Sequence, residues 1–288
     1  NKINIPRSKK IHCDAKVFIK KLLNIKNPIK PKKEWISECY KLKKAFEDEM
    51  LLKKKKSKTL NHYQIVDKLS KILKENQIIS TGSSGLGIEI FYTFFKNKKF
   101  QRVFLTSGLG SMGYGIPSSI GACLANKKKT ILIESDGSLM FNIQELSTIA
   151  NYKLPIKIII LNNSGYASIR NTQKNYFNSR FVGTGPEDKI YYPTFKYVCK
   201  SININYFKIN DKKNLDRHLI KYLSGSKPAF IEINLQKNEK LEPKVSSYID
   251  SKNKIRSYPI EDMSPRINSN VLKKYLSIKS INLLNFKK

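Results

Sequence analysis

Arginine is scarce in this 288-residue chain. Only seven of the 55 basic residues are arginine (Arg7, Arg102, Arg170, Arg180, Arg217, Arg256 and Arg266); the other 48 are lysine, and 22 acidic residues leave a formal net charge of +33. A charge of that size would ordinarily suggest nucleic acid or an anionic surface. Nucleic-acid interfaces, however, favour the bidentate arginine fork, and no recognition motif is present. Lysine abounds together with isoleucine and asparagine, the composition that an AT-rich coding bias produces, so the charge does not argue for a nucleic-acid partner. Cysteine is also sparse: Cys13, Cys39, Cys123 and Cys199 are scattered with neither paired nor metal-type spacing and read as reduced thiols. No uninterrupted apolar run approaches the ~20 residues of a membrane span, and the start shows no secretory pattern. The expectation is a soluble, cytoplasmic protein with no membrane partner. The length is enough for one large α/β domain with extra segments.

What is present is concentrated between Glu134 and Gln173. Thr130 to Glu134 is an apolar run of strand length, followed by the turn Ser135-Asp136-Gly137-Ser138. Leu139, Ile143, Leu146 and Ala150 then recur at helical spacing, predicting one helix. Ile156 to Leu161 is a second strand-like run, ending at Asn162-Asn163 and then Gly165. A βαβ unit of this size brings both strand ends to one edge of a parallel sheet. Asp136 and Asn163 are therefore expected to meet where open α/β sheets bind ligands. A carboxylate from Asp136, an amide oxygen from Asn163 and the Gly165 carbonyl are three hard oxygen ligands. Magnesium takes roughly six oxygens and usually draws the rest from phosphate and water. The N–H groups of Gly137 and Ser138 would open the following helix, placing a diphosphate on its positive end.

This stretch resembles the thiamine-diphosphate signature, Gly-Asp-Gly followed about two dozen residues later by Asn-Asn, with Ser135 standing where the first glycine is usual. The segment from Thr81 to Leu235 looks like the diphosphate-binding domain of acetolactate-synthase-like and 2-oxoacid decarboxylase enzymes. The resemblance implies thiamine diphosphate and Mg2+ as cofactors. It implies that Asp136, Asn163 and Gly165 hold the metal, while Gly137, Ser138, Asn163 and Ser168 approach the diphosphate. The loop Thr81 to Gly87, otherwise a plain strand-to-helix connection, touches the diphosphate in such enzymes through Ser83 and, secondarily, Ser84.

A second glycine-rich stretch, Ser107 to Pro117, lacks the third glycine and the acidic ribose partner of a dinucleotide site. It is similar to the loop that holds the aminopyrimidine ring. In that loop the Gly110 carbonyl would accept from the 4′-amino group, and Met112 would wedge between the two rings, although a loop methionine is more often plain packing. The bent cofactor then removes its own C2 proton and attacks a 2-oxo acid. Arg170 and Gln173 match a pattern of acetohydroxyacid synthases that faces substrate, with Arg170 alternatively a surface arginine. Thr172 stands where those enzymes commonly carry tryptophan, which leaves the substrate range open. Glu89 and Glu145 read as structural. The family's activating glutamate comes from the pyrimidine-binding domain of a partner chain, and no residue here matches it. The resemblance thus implies half an active site, completed by a pyrimidine-binding domain on a longer chain or separate subunit in a homodimer or tetramer. The activity implied is decarboxylation and carboligation of pyruvate or a related 2-oxo acid; the alternatives are a 2-oxoacid decarboxylase that releases an aldehyde without ligation and a cofactor-binding subunit with no chemistry of its own. FAD is compatible with the resemblance but unsupported by any segment of this chain.

The expected fold class is α/β: a doubly wound, mostly parallel sheet with helices on both faces. Residues 1–25 read as the end of a middle domain, with a strand at Lys2 to Ile5 and a helix capped by Asp14. Residues 26–59 read as a Lys-rich helical linker, 60–235 as the cofactor-binding domain and 236–288 as a tail of low apolar density. That tail is similar to those that fold over the active site in acetolactate-synthase-like proteins, and it fits disorder equally well.

Overall fold

The computed structural model describes residues 9–26, 30, 32–41, 43–44, 57, 59–252, 254–258, 260 and 263–265. The strand expected at residues 2–5, the lysine run 53–56 and the last 23 residues of the tail lie outside them. The chain divides between residues 47 and 48 into two compact units, inside the stretch read as a linker. The first unit holds α1 (Ala15–Leu23) and a helix α2 over residues 33–41. Asp14 caps α1 as its position predicts: one carboxylate oxygen accepts from the N–H groups of Lys16 and Val17, satisfying donors that a first turn leaves free.

The second unit is built on six strands. In chain order its elements are α3 (His62–Ile72), β1 (Ile78–Thr81), α4 (Leu86–Phe94), β2 (Arg102–Phe104), α5 (Gly115–Asn126) and β3 (Thr130–Ser135). Next come α6 (Asp136–Leu139), a 3-10 stretch (Met140–Glu145), α7 (Leu146–Asn151), β4 (Ile156–Asn162), α8 (Ala167–Tyr176), α9 (Phe195–Ser201), β5 (Asn205–Ile209), α10 (Leu215–Leu223) and β6 (Ala229–Asn234). The strands lie in the order β2-β1-β3-β4-β6-β5, and every pairing is parallel. Side chains along β4 alternate between two cores, as a strand's two-residue period requires. Ile159 and Leu161 pack with residues of α3, α4 and α10 on one face; Ile156, Ile158 and Ile160 pack with residues of α5, α7 and α9 on the other. Buried on both faces, β3 and β4 are apolar through their centres, Ile131–Ile133 and Ile158–Leu161. The doubly wound sheet is the expected architecture. Among the described residues no helix is long and apolar enough to cross a membrane.

One local expectation differs from what forms, and some elements form that no expectation covered. The single helix expected after Ser138 is broken into α6, the 3-10 stretch and α7, with non-helical backbone at Asn142 (φ −141°). The Asn142 amide donates to the Gly113 carbonyl at 3.0 Å, so this bend is held by the neighbouring loop. Strand β2, three residues at the sheet edge, has no pattern long enough to announce it. The segment after β6 packs against α3: the Tyr63 hydroxyl donates to the Lys240 carbonyl at 2.8 Å and accepts from the Glu242 N–H at 2.7 Å. Beyond it, β7 (Ser247–Ile249) and β8 (Ile255–Ser257) form an antiparallel pair that low apolar density gave no reason to expect.

Candidate cofactor site

Strand order reverses between β1 and β3, because the chain runs from β1 outward to β2 and returns on the other side. Such a switch point leaves a crevice beyond the carboxyl ends of the strands. A cavity of about 300 Å3 opens there, lined by Ser84, Gly85, Gly110, Met112, Ser135, Gly137, Ser138, Asn163, Gly165 and Ser168, among others. Residues from four separate turns, spread over more than 80 positions of sequence, converge on it.

Asp136 is fully buried and does not itself line the cavity, although its neighbours Ser135 and Gly137 do. Its Oδ2 accepts from the Gly165 N–H at 2.7 Å, while Oδ1 has no partner. Burial pushes the carboxyl up to about 6, opposed by the main-chain N–H groups of Gly165, Gly137 and Asn163. Asn163, also buried, leaves its Oδ1 without a partner. The two adjacent asparagines divide the labour. Asn162 builds the turn, its Oδ1 accepting from the Ser164 N–H at 2.9 Å and its Nδ2 donating to Glu232 at 2.7 Å. Asn163 is left to line the cavity. The turn then passes through left-handed backbone at Ser164 (φ 61°) and Gly165 (φ 122°). Any side chain at Gly165 would overlap the Thr184 carbonyl, so glycine is obligatory there.

At Ser135 the backbone is extended (φ −95°, ψ 148°), a conformation open to every residue. The serine in place of the usual glycine therefore costs no strain, and its hydroxyl lies unpartnered at the cavity wall. Gly137, by contrast, has no room for a side chain: a Cβ would lie 2.6 Å from the Tyr166 ring and 2.9 Å from the Tyr192 hydroxyl. Ser138 accepts from the Gly113 N–H at 3.0 Å and so ties the Gly110–Gly113 loop to the end of β3. The helix-dipole support expected for a diphosphate is not available, since α6 is only four residues long. Individual N–H groups remain.

Gly110 adopts φ 63°, which aims the loop, and Met112 is 39% exposed at the cavity wall. Of the two serines in the first loop, Ser84 lines the cavity. Ser83 is instead turned to the next loop, its Oγ accepting from the Thr106 N–H at 3.3 Å. Ser168 lines the cavity, and its hydroxyl donates to Glu89 at 3.1 Å.

Arg170 and Gln173 do not face the cavity. Arg170 is 4% exposed, and its guanidinium donates to four carbonyls: Ser164 and Thr184 through Nη1 at 2.9 Å each, Asn163 at 2.7 Å and Lys237 at 3.1 Å through Nη2. Neither a substrate contact nor a surface position fits; this arginine fastens the turn that carries Asn163. Burial lowers its pKa, and the charges of Glu187 and Asp136 counter part of that. Gln173 exchanges two hydrogen bonds with the Val182 main chain, both 3.0 Å, and closes the loop after α8.

Four residues beneath the site escaped sequence reasoning. Glu134, fully buried, accepts from the Ser135 N–H at 2.9 Å and is pushed up to about 7 by burial. Side chains at Gly82 or Gly115 would overlap its carboxylate. The Tyr192 hydroxyl is buried and unpartnered. His62 and Glu239 form a buried pair behind Asn163. No local pattern marks any of the four, because their burial, and for His62 and Glu239 their pairing, arise only through the fold.

Residues 81–233, just over half the chain, match the family described as thiamine pyrophosphate enzyme, C-terminal TPP binding domain. This chain belongs to that family. Among the relatives of this thiamine pyrophosphate enzyme domain is the acetolactate synthase large subunit of Porphyra purpurea, 27% identical over 239 residues, 81% of this chain and 39% of that protein. The acetolactate synthase of Arthrospira platensis is 33% identical over 147 residues, 51% of this chain and 25% of the relative. The Escherichia coli (strain K12) acetolactate synthase isozyme 1 large subunit is 29% identical over 188 residues, covering 65% and 33%. The chain thus spans about two-fifths or less of the length of these relatives. The thiamine diphosphate-dependent 4-hydroxybenzoylformate decarboxylase of Rhodococcus jostii RHA1 shares the fold, with a TM-score of 0.56 and 21% identity over 64% of this chain and 34% of that one.

Proposed function

We propose that this chain holds thiamine diphosphate through Mg2+ and supplies that half of an active site which decarboxylates and ligates pyruvate or a related 2-oxo acid, as in acetolactate synthases. The observation that carries the reading is the pair of orphaned oxygens, Asp136 Oδ1 and Asn163 Oδ1, sealed from solvent against one turn. An unsatisfied buried acceptor costs about 1–3 kcal/mol, and a cation between these two groups removes that cost. Among the described residues no group of three or more His, Cys, Asp or Glu side chains gathers to hold a metal. The donor set on offer is one carboxylate, one amide oxygen and the Gly165 carbonyl, which already accepts from the Ala167 N–H at 3.2 Å. Few, hard oxygen donors with the remaining positions left to phosphate and water suit magnesium.

Bound there, the cofactor supplies the electron sink for decarboxylating a 2-oxo acid. The chain's own contribution is to hold and shape it. Gly137, Ser138, Ser84 and Ser168 border the space for the diphosphate, Met112 would press between the two rings, and the Gly110 carbonyl would accept from the aminopyrimidine amino group. A pyrimidine-binding domain, on the same chain or a second subunit of a dimer or tetramer, completes the reading by supplying the acid that activates the ring.

Calorimetric titration with thiamine diphosphate, with and without Mg2+, tests it. Asp136→Ala should abolish the magnesium-dependent binding seen in the wild type, and unchanged affinity would refute the assignment. Pyruvate consumption only after a pyrimidine-binding domain is added is the expected activity result.

A further inference from the structure

We propose that His62 and Glu239 are positioning residues that fix which end of the Asn163 carboxamide faces the metal; this rests on the function proposed above. His62 and Glu239 are both sealed inside the protein, 0% and 4% exposed. His62 Nδ1 lies 2.7 Å from Glu239 Oε2, and the His62 main-chain N–H donates to the same oxygen at 2.9 Å. A carboxylate only accepts, so Nδ1 carries the hydrogen. In neutral imidazole the other nitrogen, Nε2, is then a lone pair.

Nε2 sits 3.3 Å from Asn163 Nδ2. Only the N–H end of the carboxamide completes that contact; the reversed amide would set lone pair against lone pair. Oδ1 is thereby turned away from His62, where the protein gives it no partner. Carboxamide ends look alike in shape, and without such a partner an asparagine could present hydrogens to a cation instead of an oxygen. The chain from carboxylate to imidazole to amide removes that ambiguity before any metal arrives. Glu239 belongs to the segment after β6, which Asn171 also holds by donating to the Glu239 carbonyl at 3.0 Å. Seating of that segment and orientation of the ligand are one event.

Outer groups that orient a ligand typically change metal affinity 10–100-fold. His62→Phe keeps a ring of similar size and removes both nitrogens. Its affinity for thiamine diphosphate in Mg2+, read by calorimetry, should fall by about that factor, and His62→Gln, which retains an acceptor, should recover most of it. In an Asn163→Ala background His62→Phe should cause no further loss, because the histidine acts through Asn163. Wild-type affinity in His62→Phe, or an equal loss in both backgrounds, overturns the inference alone. Wild-type affinity in Asp136→Ala and Asn163→Ala as well would overturn the cofactor reading with it. A long-range proton–nitrogen correlation spectrum of the wild-type chain without ligands needs no variant: Nδ1–H with bare Nε2 is expected, and Nε2–H would refute the device.

Discussion

Replacing Arg170 by alanine separates two roles for this residue: substrate contact, as its sequence context implies, and fastening of the Asn163 turn, as its surroundings indicate. The guanidinium makes four hydrogen bonds, all to main-chain carbonyls of segments 163–164, 184 and 237, and its Nε alone lacks a partner. Hydrogen bonds from a charged donor are worth about 1.5–3 kcal/mol each. Against their sum stands the several kcal/mol spent on burying the cation, which Arg170→Ala returns. A net loss of about 3–5 kcal/mol is the consequence, since four carbonyls lose their donor together. For a domain of this size each kcal/mol moves the melting temperature by roughly 2–4 °C, so a fall of roughly 10 °C is expected. Arg170→Lys should recover less than half, because one ammonium cannot span carbonyls on three segments. Calorimetric melting of the chain without ligands measures this. A melting temperature within about 2 °C of wild type, together with a raised KM for the 2-oxo acid in the completed enzyme, would refute the fastening role.

Gly165→Ala places a methyl group at φ 122° and against the Thr184 carbonyl, costing about 1–3 kcal/mol of strain. It should also weaken magnesium-dependent cofactor binding, because the Gly165 N–H orients Asp136; wild-type binding by calorimetry would contradict this. Glu134 gives a pH signature. Its folded value is raised from 4.5 to about 7, so between those values the folded chain keeps a proton that the unfolded chain has released. Stability contributed by the buried neutral acid is full below about pH 4.5 and is lost as pH rises towards about 7. Glu134→Gln should therefore gain melting temperature relative to wild type across that window, and parallel curves would count against a buried carboxyl whose Oε2 has no partner.

The turn chemistry and strand runs around Asp136 and Asn163 were readable because they are local: apolar runs of strand length, small residues at tight turns, and one crossover between them. That spacing also foretold which strands would be neighbours, as β3 and β4 are. The Ser135 substitution was harmless for a reason visible in φ alone. Arg170 misled because a cation near a site looks the same in sequence whether it reaches substrate or the carbonyls of its own turn. The helix after Ser138 misled because apolar spacing survives a kink imposed by Gly113 from another loop.

By itself the sequence determined the layered α/β architecture, the family and the two residues at the strand ends, since each depends on patterns within a few turns of chain. The tertiary structure alone decided which polar atoms are satisfied and which are left bare. His62 reaches Asn163 across 101 positions and Glu239 across 177. A hydrogen bond between such distant groups leaves no periodicity in the chain, and only folding, by removing water, makes the missing partner of an oxygen count.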